Sequence, residues 1–254
     1  MTRDRVDVLG VGVDRVDRAA MLDRVGALVA ARGRATVAYA NVHVLNVAAR
    51  DPALAAFLNA ADLCYCDGDG VRLGARLLGE RLPERMTGAD WIWDYAARAE
   101  AEGWRTWWIA GEPGVVDVAA RNLRARHPGL RIGGDHGFCA DDTPIRNANA
   151  FGADVVLVGM GTPLQERWVA RHRPELEAPV VWVVGATADF VSGKVSRGPT
   201  ILNQNAEWLA RLVTEPRRLW RRYLLGNTRF LGRVVIERVR AGPGSGSRGG
   251  SRPR

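Results

Sequence analysis

In Val155-Val-Leu-Val-Gly-Met-Gly-Thr-Pro-Leu-Gln-Glu166 an unbroken apolar run stops at a Gly-x-Gly turn, and a polar, helix-like stretch comes next. A strand with no polar alternation has both faces covered, which is the habit of parallel sheets. The same grammar recurs along the chain. Val6–Val13, Thr36–Tyr39, Leu63–Cys66, Thr106–Ala110, Leu130–Ile132 and Val180–Val184 also read as strands. Between them lie amphipathic stretches with boundary signals. Asp51-Pro52 places a capping carboxylate before a first-turn proline. Thr87-Gly-Ala-Asp90 precedes Trp91, Ile92, Tyr95 and Ala99, and Gly103 closes that helix. Glu112-Pro113 opens Val115–Arg126, and Thr143-Pro144 opens another helix. Alternating strands and helices predict an α/β fold: a mainly parallel, Rossmann-like sheet with helices on both faces.

Ligands of such sheets sit at the carboxyl ends of the strands. The residues just past each strand are therefore informative. Tyr39 and Asn41 end the second strand, and Asp67-Gly-Asp-Gly70 comes after Cys66. Gly111-Glu-Pro-Gly114 comes after Ala110; Gly159, Gly161, Gln165 and Glu166 after Val158; Gly185 and Asp189 after Val184. Glycines permit close backbone approach, and helix N-termini favour phosphate, so a nucleotide crevice is expected on this edge.

Composition agrees with a folded enzyme-sized body. The 254 residues are 47% hydrophobic and 25% charged, which excludes a disordered or fibrous protein for most of the chain. No apolar run approaches the roughly 18–20 residues that span a bilayer. No secretory leader pattern is visible, and Cys64, Cys66 and Cys139 make no disulfide framework, so a reduced, cytoplasmic setting is expected. Charge is unevenly spread. The net is +8, yet the segment from Arg211 onward holds twelve Arg and two Glu, leaving residues 1–210 at −2. Strands cease near Val195. Three parts are expected: a catalytic core over 1–195, an Arg/Trp-rich helical appendage over 196–240 and a disordered tail over 241–254. The basic excess calls for phosphate, an anionic lipid surface or nucleic acid.

Several motifs are set aside. Gly10-Val-Gly12 lacks the third glycine and the helix of a dinucleotide fingerprint. No Walker A, nucleophile elbow or His/Cys metal spacing is present. Cys64 and Cys66 alternate along a strand and read as core residues, and His43 sits on an apolar helix as a packing histidine. His136, at a strand end, is harder to dismiss. Asp67-Gly-Asp69 has three readings: a divalent-cation pair, a general base at Asp67, or an Asp-Gly turn with Asp69 capping the next helix. Spacing alone leaves all three open.

An ordered set of segments carries a likeness. It comprises Asn41, Asp67-Gly-Asp-Gly70, Glu84-Arg85-Met-Thr-Gly88, Gly111-Glu-Pro-Gly114, Gly161-Thr-Pro-Leu-Gln-Glu166, Val184-Gly-Ala-Thr-Ala-Asp-Phe-Val-Ser-Gly193, Arg197-Gly-Pro199 and Glu207-Trp-Leu-Ala-Arg-Leu212, then Glu215-Pro-Arg-Arg218 and Arg221-Arg-Tyr223. In this it resembles the WecG/TagA/CpsF glycosyltransferases from about Val6 to Tyr223. The resemblance implies a GT-E type fold with a C-terminal appendage. It also implies inverting, metal-independent transfer from a UDP-sugar to a saccharide on a polyprenyl diphosphate, in teichoic-acid or surface-polysaccharide synthesis. By position, Asp67 matches the catalytic base, and Arg85 and Gln165 match pocket residues. Tyr39, Asn41, Asp69, Gly111, Gly114, Gly161, Glu166, Gly185 and Asp189 are the expected substrate contacts. Arg211, Arg217, Arg218, Arg221 and Arg222 match appendage cations that meet the lipid diphosphate and the membrane. Two positions depart: Tyr39 stands where the family usually has Thr, and Leu164 where it has Lys.

The expected protein therefore has no resident cofactor or metal, the UDP-sugar being a co-substrate. It lies peripherally on the inner membrane face, with self-association open and no nucleic acid partner. The rival readings are a metal-dependent transferase using Asp67 and Asp69, and an RNA-binding α/β protein with a basic segment.

Overall fold

The structure, a computed structural model, describes residues 4–139, 142–195 and 225–241. The expectations for Arg211, Arg217, Arg218, Arg221 and Arg222, for the rest of the appendage before 225 and for the tail past Ala241 lie outside them.

The chain opens with a hairpin, β1 (Arg5–Val8) and β2 (Val11–Asp14), paired antiparallel. One continuous strand over Val6–Val13 was the expectation. Leu9 (φ 59°) and Gly10 (φ 86°) instead make a two-residue reversal, and the Gly10 N–H donates to Asp7 Oδ1 at 2.9 Å. Helix α1 (Arg18–Ala31) then leads to β3 (Ala35–Ala40). Next come α2 (Val42–Ala48), α3 (Pro52–Ala60), β4 (Leu63–Cys66), α4 (Asp69–Leu77), α5 (Gly88–Ala101) and β5 (Arg105–Ala110). The core closes with α6 (Val115–Arg126), β6 (Arg131–Asp135), α7 (Thr143–Phe151), β7 (Val155–Gly159), α8 (Leu164–His172), β8 (Val180–Val183) and α9 (Thr187–Val191). A C-terminal helix, α10 (Gly226–Ala241), comes last.

Strands β3 to β8 form one parallel sheet in the order β4-β3-β8-β7-β5-β6. All residues of β4, β7 and β8 are buried, as their unbroken apolar sequences require. Right-handed crossovers place α2, α3, α7 and α8 on one face and α5 and α6 on the other. The contacts of α3 with α8, and of α9 with α5 and α6, agree. Beneath α5 an aromatic stack fills the core. Trp91 lies on Trp182 with centroids 4.1 Å apart, and Tyr65 and Tyr95 meet Trp182 edge-on.

Strand β6 reaches further than the apolar run Leu130–Ile132 suggested. Gly133 and Gly134 continue it by pairing with Trp107 and Trp108 of β5, and a side chain at Gly134 would strike the Trp108 backbone. The hairpin is latched to the sheet by Asp14, which accepts from Arg5 Nε (3.1 Å), Arg24 Nη1 (2.9 Å) and the Cys64 N–H (2.7 Å). At the other end of the chain, α10 buries Phe230 and Val234. It packs on α2 and α4, where a Cβ on Gly74 would sit 2.5 Å from the Phe230 ring.

All six strands are parallel, but the chain steps from β5 outward to β6 and from β7 to β8 on the other side, so the lateral order reverses between β5 and β7. Ligands of open α/β sheets generally sit at the carboxyl edge near such a reversal.

Candidate active site

The carboxyl edge is knitted by backbone. The Gly137 N–H donates to the Gly111 oxygen (2.9 Å), and the Gly111 N–H faces the Gly159 oxygen (3.4 Å). Gly159 in turn passes so close to the Gly185 carbonyl that no Cβ fits. Loops after four strands are thereby held as one rim. Gly114 caps α6 with φ 86°, and the Gly161 oxygen accepts the Gln165 N–H in the first turn of α8.

Two groups of side chains rise from this rim. Asn41, at the end of β3, caps α2 through Oδ1 to the Val44 N–H (2.9 Å). Its amide then has only one direction to point, and Nδ2 donates to Asp67 Oδ2 at 2.9 Å. The Asp67 N–H donates to the Ala40 oxygen, so β3 positions both the backbone and the carboxylate of Asp67. Asp69 does not join them. It lies in the first turn of α4, with Gly68 as the cap, and pairs with Arg72 at 2.9 Å. Of the three readings of Asp67-Gly-Asp69, the one with Asp69 as the cap falls, because Gly68 (φ 94°) takes the turn conformation that precedes the helix.

The second group is a buried relay. Gln165 is fully buried; its Nε2 donates to Tyr39 Oη (3.2 Å) and to Glu166 Oε1 (2.8 Å), and its Oε1 accepts the Gly185 N–H (3.1 Å). Thr162 Oγ1 donates to the same Glu166 oxygen at 2.8 Å. Among the described residues Glu166 Oε2 has no hydrogen-bond partner. Burial pushes the Glu166 carboxyl above its ordinary value, against the pull of Gln165 and Thr162. Burial likewise raises the Tyr39 phenol far above its usual range, and the negative charges of Glu166 and Asp67 add to it. Tyr39 is therefore a neutral hydroxyl. Gly185 (φ 58°) makes room for it, since a Cβ there would lie 2.7 Å from Tyr39 Oη.

Arg85 pairs with Asp90 at 3.2 Å, and Thr87 Oγ1 donates to the same carboxylate at 2.6 Å. This loop is drawn to the rim because Gly88 packs on the Thr187 side chain, leaving no space for a Cβ. Asp189 stands half-buried on the short α9 beside Thr187. The structure thus brings Tyr39, Asn41, Asp67, Gln165, Glu166 and Gly185 to one edge and turns Asp69 aside. Cys64 and Cys66 are core residues, as expected; burial raises the Cys64 thiol to about 12. His136 meets Cys139, with Sγ 3.7 Å from Nε2, on the loop behind Gly137.

Sequence reading missed Thr162 and Thr187 as site-building residues. Each does its work through one contact across the rim, and a lone threonine after a strand carries no signal of that.

A parallel α/β sheet with a carboxylate, an amide and a buried polar relay at its carboxyl edge belongs to the class of small-molecule enzymes that work at strand ends. Comparison with known proteins narrows this. The sequence pattern of the "Glycosyl transferase WecG/TagA/CpsF family" matches residues 6–243. The chain belongs to that family and is a sugar-transferring enzyme. A Staphylococcus aureus (strain NCTC 8325 / PS 47) protein named N-acetylglucosaminyldiphosphoundecaprenol N-acetyl-beta-D-mannosaminyltransferase is 27% identical over 222 residues, covering 85% of this chain and 87% of that protein. The like-named protein of strain MRSA252 is 26% identical over the same length.

Proposed function

We propose that the enzyme transfers a sugar from a UDP-sugar, with inversion and without a metal ion, to a saccharide carried on a polyprenyl diphosphate. The acceptor class comes from the two relatives above, and a UDP-linked N-acetylhexosamine is the first donor to try. The observation that carries the chemistry is Asp67, held at the sheet edge by Asn41 while Asp69 is engaged elsewhere.

In this reading the acceptor hydroxyl attacks the anomeric carbon from the face opposite the diphosphate. The bond from that carbon to the UDP oxygen breaks and its electron pair leaves with UDP. The hydroxyl proton passes to Asp67, whose orientation Asn41 maintains. A base needs one aligned carboxylate, whereas a metal clamp would need Asp67 and Asp69 to converge. In this reading Arg85 and the backbone N–H groups opening α6 and α8 meet the growing charge on the leaving diphosphate. Tyr39 and Gln165 offer neutral hydrogen-bonding groups for sugar hydroxyls. The basic segment around Arg211, Arg217, Arg218, Arg221 and Arg222 serves a peripheral position on the cytoplasmic membrane face. No helix among the described residues is long and apolar enough to cross a membrane.

The test is transfer of label from a panel of UDP-sugars to polyprenyl-diphosphate-N-acetylglucosamine in EDTA. Transfer from one donor is expected and names the sugar. Transfer that appears only when Mn²⁺ is restored would replace the base by a metal site.

A further inference from the structure

Thr87-Gly-Ala-Asp90 has the spacing of a capping box, and α5 does begin there. The box is not closed. Thr87 is the cap residue, yet its side chain makes no capping hydrogen bond. Its hydroxyl donates instead to Asp90 Oδ2 at 2.6 Å. Arg85 Nη2 donates to that same oxygen at 3.2 Å. Only the backbone joins the box in the usual sense, through the Asp90 N–H and the Thr87 oxygen at 2.8 Å. A threonine at a helix start ordinarily stabilises it by capping. Here that gain is forgone, and the polar atoms of Thr87 and Asp90 meet around one arginine.

The place of this trio gives it a use. Gly88 packs on Thr187 with no room for a Cβ, and Thr187 Oγ1 donates to the Val184 oxygen at 2.6 Å. The next residue, Gly185, gives its N–H to Gln165. Arg85, three positions before Gly88, is thereby carried on the rim that holds Gln165. The Arg85 and Asp90 side chains are 18% and 25% exposed, so the pair is partly covered and still open to a ligand. A long arginine side chain has much rotamer freedom, and a carboxylate at its head removes part of it before a ligand arrives.

We propose that Asp90, steadied by Thr87, is a positioning residue that holds the Arg85 guanidinium ready for the leaving diphosphate. The proposal rests on the UDP-sugar reading above. Asp90 acts through Arg85. Without Asp90, Arg85 keeps its charge but must be oriented anew in each turnover, and misplacement of a catalytic group is costly. The competing role is purely structural. Asp90 is an acid in the first turn of α5, where a negative charge favours the helix dipole.

The test is a double-mutant cycle on the full-length chain, read in UDP affinity by calorimetry and in kcat and KM for labelled donor. Asp90→Ala should lower kcat roughly tenfold to a hundredfold, and UDP affinity should fall with it. Asp90→Asn keeps an oxygen for Thr87 and Arg85 and should recover most of both. A helix-dipole role gives equal losses in the two variants, because each removes the charge. Arg85→Ala should cost roughly 10²–10³-fold in kcat. Adding Asp90→Ala to it should cost nothing more. Multiplied losses in the double variant overturn the proposal. So do equal losses for Ala and Asn, or an Arg85→Ala variant with unchanged kcat and UDP affinity. A wild type that binds UDP but transfers no sugar ends the transfer reading, and the cycle in UDP affinity still decides the role of Asp90. A wild type that binds no UDP ends both.

Discussion

Asp14 and Glu166 are carboxylates with almost no exposure, 1% and 2%, and their surroundings are opposites. Asp14 sits where the hairpin meets β4. Two arginines and a backbone N–H satisfy it, and its task is to clip a local hairpin onto the sheet. Glu166 sits under the strand-end rim, and its hydrogen-bond partners among the described residues are neutral. One of its oxygens is unpartnered among the described residues, and burial raises its carboxyl. A fully compensated buried charge marks architecture. An undercompensated one marks a place where the fold gives up stability to hold polar groups ready.

The comparison can be broken at several points, beginning with the hardest. Asp67→Asn keeps the Asn41 contact geometry but removes the proton acceptor. A loss of roughly 10²–10⁴-fold in kcat is expected with an unchanged melting temperature. A fall in melting temperature that accounts for the lost activity would move Asp67 to the architectural side with Asp14.

Asp14→Ala strands two arginines at the hairpin seam and should cost about 3–5 kcal/mol of stability by denaturant unfolding. The protein that remains folded should keep its KM for the donor. A stable Asp14→Ala variant with impaired donor binding would contradict the division between the two carboxylates.

Glu166→Gln is the gentlest probe, and its sign depends on pH. The folded carboxyl lies above its ordinary 4.5, so the native state binds more protons than the unfolded state just above that pH. Wild-type stability should therefore fall as pH rises from 4.5 through the raised native value. Gln cannot ionise, so the variant should lose that dependence and match or exceed the wild type at neutral pH. Parallel pH–stability curves for the two proteins would show that Glu166 does not titrate in this window.

Much of the architecture was legible locally. Runs such as Val155–Val158 and Leu63–Cys66 contain no residue that prefers water, so only a strand covered on both faces accommodates them. Asp51-Pro52 announces the start of α3, and Asp51 does accept the Leu54 N–H. The places where reading failed have local causes too. At Leu9-Gly10 a leucine occupies a left-handed conformation that its residue type does not advertise, so one strand was expected where two occur. At Gly133-Gly134 a glycine pair hides a strand, because the pairing with Trp107 and Trp108 that continues it is not a property of glycine.

For the site the division is sharper. That Asp67, Gln165 and Gly185 each come after a strand is readable from order alone, since parallel strands deliver their succeeding loops to one edge. Tyr39 and Gln165 meet across 126 positions of chain, and Asp67 and Asn41 across 26. Asp67 and Asp69, two positions apart, part company because one faces β3 and the other faces Arg72. Residue type and spacing specify which groups are available and on which edge they arrive. Which of them touch and which charge goes uncompensated depend on strand order and helix packing, where the deciding contacts join residues far apart in the chain.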